Sequence, residues 1–449
     1  MADIAAPLKR WSYASVSDKI ADIVLTRPTH WLWFVAFGIA TLGTIAFVGA
    51  IGYLFLRGIG IWGVNIPVAW GFAIANFVWW IGIGHAGTFI SAILLLLRQK
   101  WRTSINRFAE AMTLFAAGIA GIFPILHLGR PWFFYWLVPY PNVMELWPQW
   151  RSALVWDIFA ISTYLIVSLL FWYIGLIPDL ATLRDRAVSR TKQVAYGLLA
   201  LGWRGEARHW ARFETVYLLL AGLATPLVVS VHSVVSLDFA IGIVPGYHST
   251  VFPPYFVAGA LFSGFAMVLT LAIPLRHFFR LQDFITDRHL ENAAKILLAC
   301  GWIVAYGYFI ETFTAYYSGD QYEIAVMKDR LHGFYAPVYW TVLLCNVVIP
   351  QLLWWRAARR SMWALFAISL VVNLGMWLER VMIVVQSMHH DFLPSAWGNF
   401  MPTVWDWITL IGSIGFFAFL FLLFVRLLPA ISIFEMRELV RDEKAGVRS

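Results

Sequence analysis

Ten runs of apolar residues, each long enough to cross a bilayer, constrain this chain more than any motif in it. They cover roughly 31–57, 67–97, 108–127, 152–177, 213–237, 254–275, 293–317, 334–355, 362–388 and 403–428. About 20 apolar residues span the hydrocarbon as a helix, and a helix satisfies its own backbone hydrogen bonds there. The fold class that follows is an all-α polytopic membrane protein with about ten transmembrane helices. A chain of 449 residues that is 61% hydrophobic and 13% charged, with a mean hydropathy of +0.72, is not a soluble globular domain. The run at 67–97 exceeds an upright span, so it is expected to tilt or protrude.

Loop charge sets the orientation. Lys9, Arg10, Lys19 and Arg27 precede the first span; Arg98, Lys100, Arg102 and Arg107 fill the second loop; the fourth, sixth and eighth loops are also basic. The odd loops carry little beyond Arg57, Arg130, Arg151, Lys328 and Arg330. By the positive-inside rule both termini lie in the cytoplasm of a bacterial inner membrane. The net charge of +8 is then loop charge and not a nucleic-acid surface. Residues 1–30 read as a retained cytoplasmic segment, not a cleavable signal. The division is 31–177 for four spans, 178–212 for a cytoplasmic connector, 213–428 for six spans and 429–449 for a cytoplasmic tail. Spans two to five and six to nine suit two four-helix bundles, flanked by the first and last spans. The connector reads as one solvated surface helix, and no clear sequence repeat relates the halves.

The residues able to do chemistry concentrate between Phe123 and Ile161. One span ends at His127-Leu128-Gly129-Arg130-Pro131. A loop dense in Trp, Tyr, Phe and Pro follows, and the next span begins near Arg151 with Asp157 about two turns inside. His127 and Asp157 are expected together at the outer face, beneath aromatic side chains. A charged group in hydrocarbon needs a partner or a function. Histidine exchanges protons near neutral pH, so the pair suits acceptance of protons from a lipid-soluble quinol. The plainer alternatives are a histidine favoured at a helix C-terminus and a carboxylate paired with Arg130 or Arg151.

His85, in Gly84-His85-Ala86-Gly87, is by depth the only histidine placed well inside the bilayer, as a proton relay or a packing residue. His232 and Asp238 close the fifth span on the outer side, where they join the His127 site or are simply solvated. Glu110 stands at the cytoplasmic start of the third span. Glu311, Glu379 and Arg380 fall within apolar spans and need partners. Consecutive helical residues point about 100° apart, and equal depth in spans seven and nine predicts a Glu311–Arg380 pair. Glu379 is then left free to form a proton path with His85. Cys300 and Cys345 both sit in apolar runs and make no CxxC motif. With the histidines scattered in depth, the chain is expected to hold no haem and no iron–sulfur cluster.

The ending His127-Leu128-Gly129-Arg130-Pro131-Trp132, the Trp156-Asp157 pair and Asn373-Leu374-Gly375-Met376-Trp377-Leu378-Glu379-Arg380 resemble the NrfD/polysulfide reductase membrane subunits. The ten-span length and the segment GWIVAYGYFIETFTAYYSGD are more similar to the ActC-type subunit of bacterial alternative complex III. The resemblance implies a core of two four-helix bundles and a bound quinol, menaquinol or ubiquinol. His127 and Asp157 would be the quinol-site residues, with Arg130, Asp238 and His232 near them. It also implies electron transfer to an iron–sulfur subunit on the outer face and on to c-type cytochrome subunits. Other membrane subunits, including a homologous NrfD-like chain, would accompany it among lipids, and proton translocation is a proposed further role.

Two other uses remain open. The same scaffold serves as the membrane anchor of a polysulfide- or nitrite-type reductase. A transporter is the third reading, but transporters bind near the midplane, and the densest polar cluster here is at the rim.

Overall fold

A computed structural model of the chain describes residues 11–138 and 150–445. Ten of its helices are long and apolar enough to cross a membrane, and the protein is all-α and multi-pass. They are α2 (Trp31–Arg57), α3 (Phe72–Leu96), α4 (Asn106–His127), α5 (Ala153–Arg186), α7 (Ala207–Ala240), α8 (Phe252–Phe278), α9 (Asp287–Ser318), α11 (Ala336–Trp354), α12 (Met362–His389) and α13 (Val404–Leu427). Four further helices of ten residues or more accompany them: α1 (Tyr13–Leu25), α6 (Arg190–Leu199), α10 (Gln321–His332) and α14 (Ile433–Lys444).

The expected bundles are both present. Helices α3, α4, α5 and α7 pack as a closed ring, and α8, α9, α11 and α12 form a second. The rings share a wall where α3 and α7 meet α8 and where α3 meets α12. Helices α2 and α13 pack chiefly on each other, and α13 joins them to α4 and α3. Between helices in lipid, small residues permit the closest approach. A Cβ on Gly43 would stand 2.9 Å from Gly415 Cα, and one on Gly87 would collide with the Ala109 carbonyl oxygen. Those two contacts fix the α2–α13 and α3–α4 seams.

The second span is shorter than its apolar run. Residues 58–71 form a loop, so the excess length is spent outside the helix, and the end of α3 widens into a π turn at Phe89–Ile93. Similar turns occur in α11 at Leu344–Val348 and in α12 at Met382–Gln386. The surface helix expected over 178–212 is replaced by the end of α5, the short α6 and the start of α7. The reason is apolar: Leu176, Leu180 and Leu183 pack with Ala21, Val24 and Tyr196, which carries α5 on past the span. The last helix, α14, docks at the end of the first bundle where α4 begins. Asp179 Oδ1 accepts the backbone N–H groups of Ile433 (3.1 Å) and Phe434 (3.0 Å), capping α14 from another element.

Candidate functional site

Three polar layers run along the first bundle. At the end where α4 finishes, Asp157 of α5 and Asp238 of α7 lie close enough for each carboxyl to feel the other. Asp157 is 5% exposed, and the Oδ1 atoms of both aspartates are buried with no hydrogen-bond partner among the described residues. Two neighbouring carboxyl groups away from water do not readily carry two charges at once, so this pair is suited to taking up and releasing a proton. His127 ends α4 nearby, half-buried. Its ring meets Trp70 edge-on at 6.1 Å, and Trp70 meets Phe239, the neighbour of Asp238, in the same way at 6.0 Å. One indole from the loop before α3 therefore links the ends of α4 and α7.

The aromatic cover expected from the 128–150 loop is placed differently. Its part at 139–149 lies outside the described residues. The part at Pro131–Leu137 is a 3-10 turn with Trp132, Phe133, Phe134, Tyr135 and Trp136 exposed, and Trp132 leans on Phe55 of α2. Arg130 stands exposed on the turn leading into it.

The middle layer overturns one expectation. His232 is not at the outer rim: it is fully buried, two turns inside α7, with its ring 4.6 Å from that of His85. His85 is thus not the only deep histidine. The run 213–237 ends short of the helix, which continues to Ala240 and draws His232 inward. His85 Nδ1 contacts the Ile81 carbonyl at 2.7 Å, while its Nε2 and both ring nitrogens of His232 have no hydrogen-bond partner. Tyr164 lies beside His85, with its hydroxyl 2.8 Å from Thr88 Oγ1 and donating to the Gly84 carbonyl at 3.0 Å.

The third layer is at the α14 end. Glu110 is buried, accepting from Arg107 Nη1 (2.9 Å) and the Tyr217 hydroxyl (3.1 Å). Arg107, wholly buried, also reaches the Gly175 carbonyl (2.7 Å) and Asp179 (3.3 Å). Glu435 of α14 accepts from Arg102 (3.2 Å) and Asn106 (2.8 Å). Outside the spans, Arg102 is held more firmly protonated: burial opposes its charge, but Glu435 beside it outweighs that. Sequence reasoning missed this cluster because Arg102 and Arg107 read as loop charge. The spacing of Arg107 and Glu110, three apart on a helix, was the available signal.

In the second bundle the predicted Glu311–Arg380 pair is not formed. Glu311 binds Arg330 Nη1 of α10 at 2.7 Å, and Arg380 Nη1 lies 2.9 Å from Glu379 Oε1. Two assumptions failed. Helix α9 starts at Asp287 and not near 293, which lifts Glu311 about six residues, or roughly 9 Å, above the assumed depth. The long arginine side chain also curls back to its own neighbour, which backbone directions alone do not forbid. Glu379 is not free either: Tyr308 donates to it, and Asn346 Nδ2 lies at 3.5 Å. Arg380 rests 4.3 Å from the centroid of Phe256, whose ring is 5.9 Å from that of His232. The Glu379 cluster thus abuts the His85–His232 layer across the shared wall. Among the described residues no group of three or more His, Cys, Asp and Glu is arranged to hold a metal ion.

Comparison with known proteins agrees with this architecture. The family model described as "Polysulphide reductase, NrfD" matches residues 62–390, which takes in both bundles. A putative dimethyl sulfoxide reductase membrane protein of Halobacterium salinarum is 26% identical over 58% of this chain and 58% of its own. This chain therefore spans little more than half of that relative. A selenate reductase component of Mesobacillus selenatarsenatis is 24% identical over 86% of this chain and 92% of its own. An Hdr-like menaquinol oxidoreductase integral membrane subunit of Archaeoglobus fulgidus is 22% identical over 89% and 95%.

Proposed function

Since this chain belongs to the NrfD polysulphide reductase family, we propose that it is the quinol-oxidising membrane subunit of an alternative complex III-type quinol:electron-acceptor oxidoreductase, respiratory or photosynthetic. The observation that carries the reading is the buried Asp157 facing Asp238, at the end of the bundle where Trp70 links His127 to Phe239. Oxidising a quinol to a quinone releases two electrons and two protons. His127 and the carboxyl pair supply acceptors for both protons at one end of the bundle, where the ring enters from lipid. Arg130 lies near this mouth. The electrons leave to an iron–sulfur subunit seated on the exposed Trp132–Trp136 turn, and then to c-type cytochromes. Both cysteines are buried inside spans, at Cys300 and Cys345, and are not placed to hold a cluster. The basic loops support a cytoplasmic α14 end and cytoplasmic termini in a bacterial inner membrane, with the His127 end outside.

The three polar layers support a proton route as part of the same proposal: from the carboxyl pair through His232 and His85 to Glu110, with Glu379 and Arg380 adjoining at mid-depth and Glu311 beyond them. Asp157→Asn tests the core reading. The variant should assemble with its partners and lose most quinol oxidation, and full turnover would overturn the assignment.

The selenate and dimethyl sulfoxide reductase relatives favour one second reading: the membrane anchor of a reductase with a different soluble partner. A purified native complex distinguishes the two, because the first contains c-type haem and the second contains molybdopterin.

A further inference from the structure

The α2–α13 pair is held mainly by the first bundle, through α4 and α3, and meets the second where Trp407 packs on Trp377. Between the pair and α8 and α12 lies a cavity of about 1130 Å³. That exceeds the roughly 300–1,000 Å³ of ordinary small-molecule sites. Its walls are mostly apolar, with Trp79, Trp80, Leu271, Trp377, Phe417 and Phe421 among them. Leu374 and Ile414, also on the wall, are exposed on the hydrocarbon side. Its charged groups gather at the end nearest the basic loops, where Arg27 and Arg426 line it beside His30, while Thr270 and Asn373 are polar residues further along the wall.

Both guanidinium groups there are fixed from behind by backbone carbonyls. Arg27 donates to Phe279 (2.9 Å) and Phe278 (3.2 Å), and Arg426 to Ile23 (2.6 Å). Among the described residues neither has a carboxylate partner within salt-bridge distance. At the same end Trp33 contributes an indole N–H that is buried without a hydrogen-bond partner. Two positioned cations and an unused donor stand above a long apolar slot open to lipid. That pattern is complementary to a single kind of molecule, an anion carrying long acyl chains.

We infer that this fissure is a binding site for one anionic phospholipid, its phosphate at Arg27 and Arg426 and its chains along the tryptophan wall. Basic pockets between spans on the positively charged side of a membrane suit such headgroups. The lipid would fill the gap between the flanking pair and the second bundle. The inference stands apart from the quinol site, which lies at the other end of the first bundle.

The test is lipid analysis of the intact complex, purified in detergent and washed extensively, by native mass spectrometry and lipid extraction. One anionic phospholipid per chain should remain. The Arg27→Gln/Arg426→Gln double variant should lose it at least tenfold more readily on washing. Should that variant fail to assemble, Ala36→Trp fills the slot from its lipid-facing side and should expel the lipid while leaving quinol oxidation in place. A quinone retained in its stead, a helix of a neighbouring protein cross-linking into the slot, or equal lipid retention by wild type and Ala36→Trp would each overturn the inference.

Discussion

His85 and His232 sit ring against ring, 4.6 Å between centroids and 66° between planes, at the centre of the first bundle. Three of their four ring nitrogens have no hydrogen-bond partner in the described protein. A buried polar atom left unsatisfied costs about 1–3 kcal/mol. The arrangement is costly as packing and intelligible as a relay. His85→Phe should preserve the fold, since it keeps a ring of similar shape. Proton release measured in vesicles should fall while electron transfer in uncoupled membranes persists. Unchanged release per electron would leave the pair a purely structural role.

The two aspartates should act as one unit. Asp157→Asn and Asp238→Asn should each lower quinol oxidation by about 10²–10⁴-fold, the usual worth of a positioned proton acceptor. The double variant should be little worse than either single one, because groups that work together are non-additive. Multiplicative losses would show two independent roles.

Glu379→Gln should be more damaging than a free carboxylate would suggest. It leaves Arg380 buried without its 2.9 Å partner, a loss of about 3–5 kcal/mol. The Glu379→Gln/Arg380→Gln double variant should recover part of that stability. Thermal unfolding in detergent, comparing the three variants, reads the effect directly; a double variant weaker than both singles would refute the pairing.

The α14 latch gives a fourth expectation. Asp179→Ala removes the cap on Ile433 and Phe434, worth about 0.5–2 kcal/mol, and one partner of the buried Arg107. Limited proteolysis should then cut near residues 429–432 well before the spans are attacked. Protection equal to wild type would mean that apolar contacts alone hold α14.

Acid should loosen the opposite face. Burial would raise the carboxyl of Asp329 in α10, but the His389 imidazole 3.6 Å away, the hydrogen bond from Gln386 and the nearby His390 outweigh it, holding the group below the usual carboxylate range. A carboxylate so depressed stabilises the fold above its unfolded value of about 3.9. That contribution vanishes as pH falls through the folded value. Hydrogen exchange in α10 should therefore be flat from about pH 8 to 5 and accelerate below about pH 4, and Asp329→Asn should abolish the change at low pH.

The spans were legible in the sequence because hydrocarbon imposes a single demand on length and polarity, and α12 and α13 agree with the expected ranges to within a residue. That His127 and Asp157 lie at the same end of the bundle was also readable, since consecutive antiparallel helices bring such ends to one side. Trp70 was not, because a loop tryptophan next to a span looks like any belt residue. Arg330 in a short helix that dips back to Glu311, and Arg107 beneath α14, were hidden for a related reason. Charge at a helix end reads as solvated, and nothing local says that a distant element will cover it. Depth estimates failed where helices outran their apolar runs, as α9 and α7 do.

The contact of Gly43 with Gly415 has a meaning in time as well as space. Of these ten spans, α2 leaves the ribosome before the others and finds its main partner only in α13. At about 5–20 residues per second, α2 waits on the order of tens of seconds in the bilayer before α13 arrives. Both bundles have by then been synthesised, so the flanking pair closes onto a finished core, and a chain stalled late in synthesis would present the naked face of α2 to its neighbours.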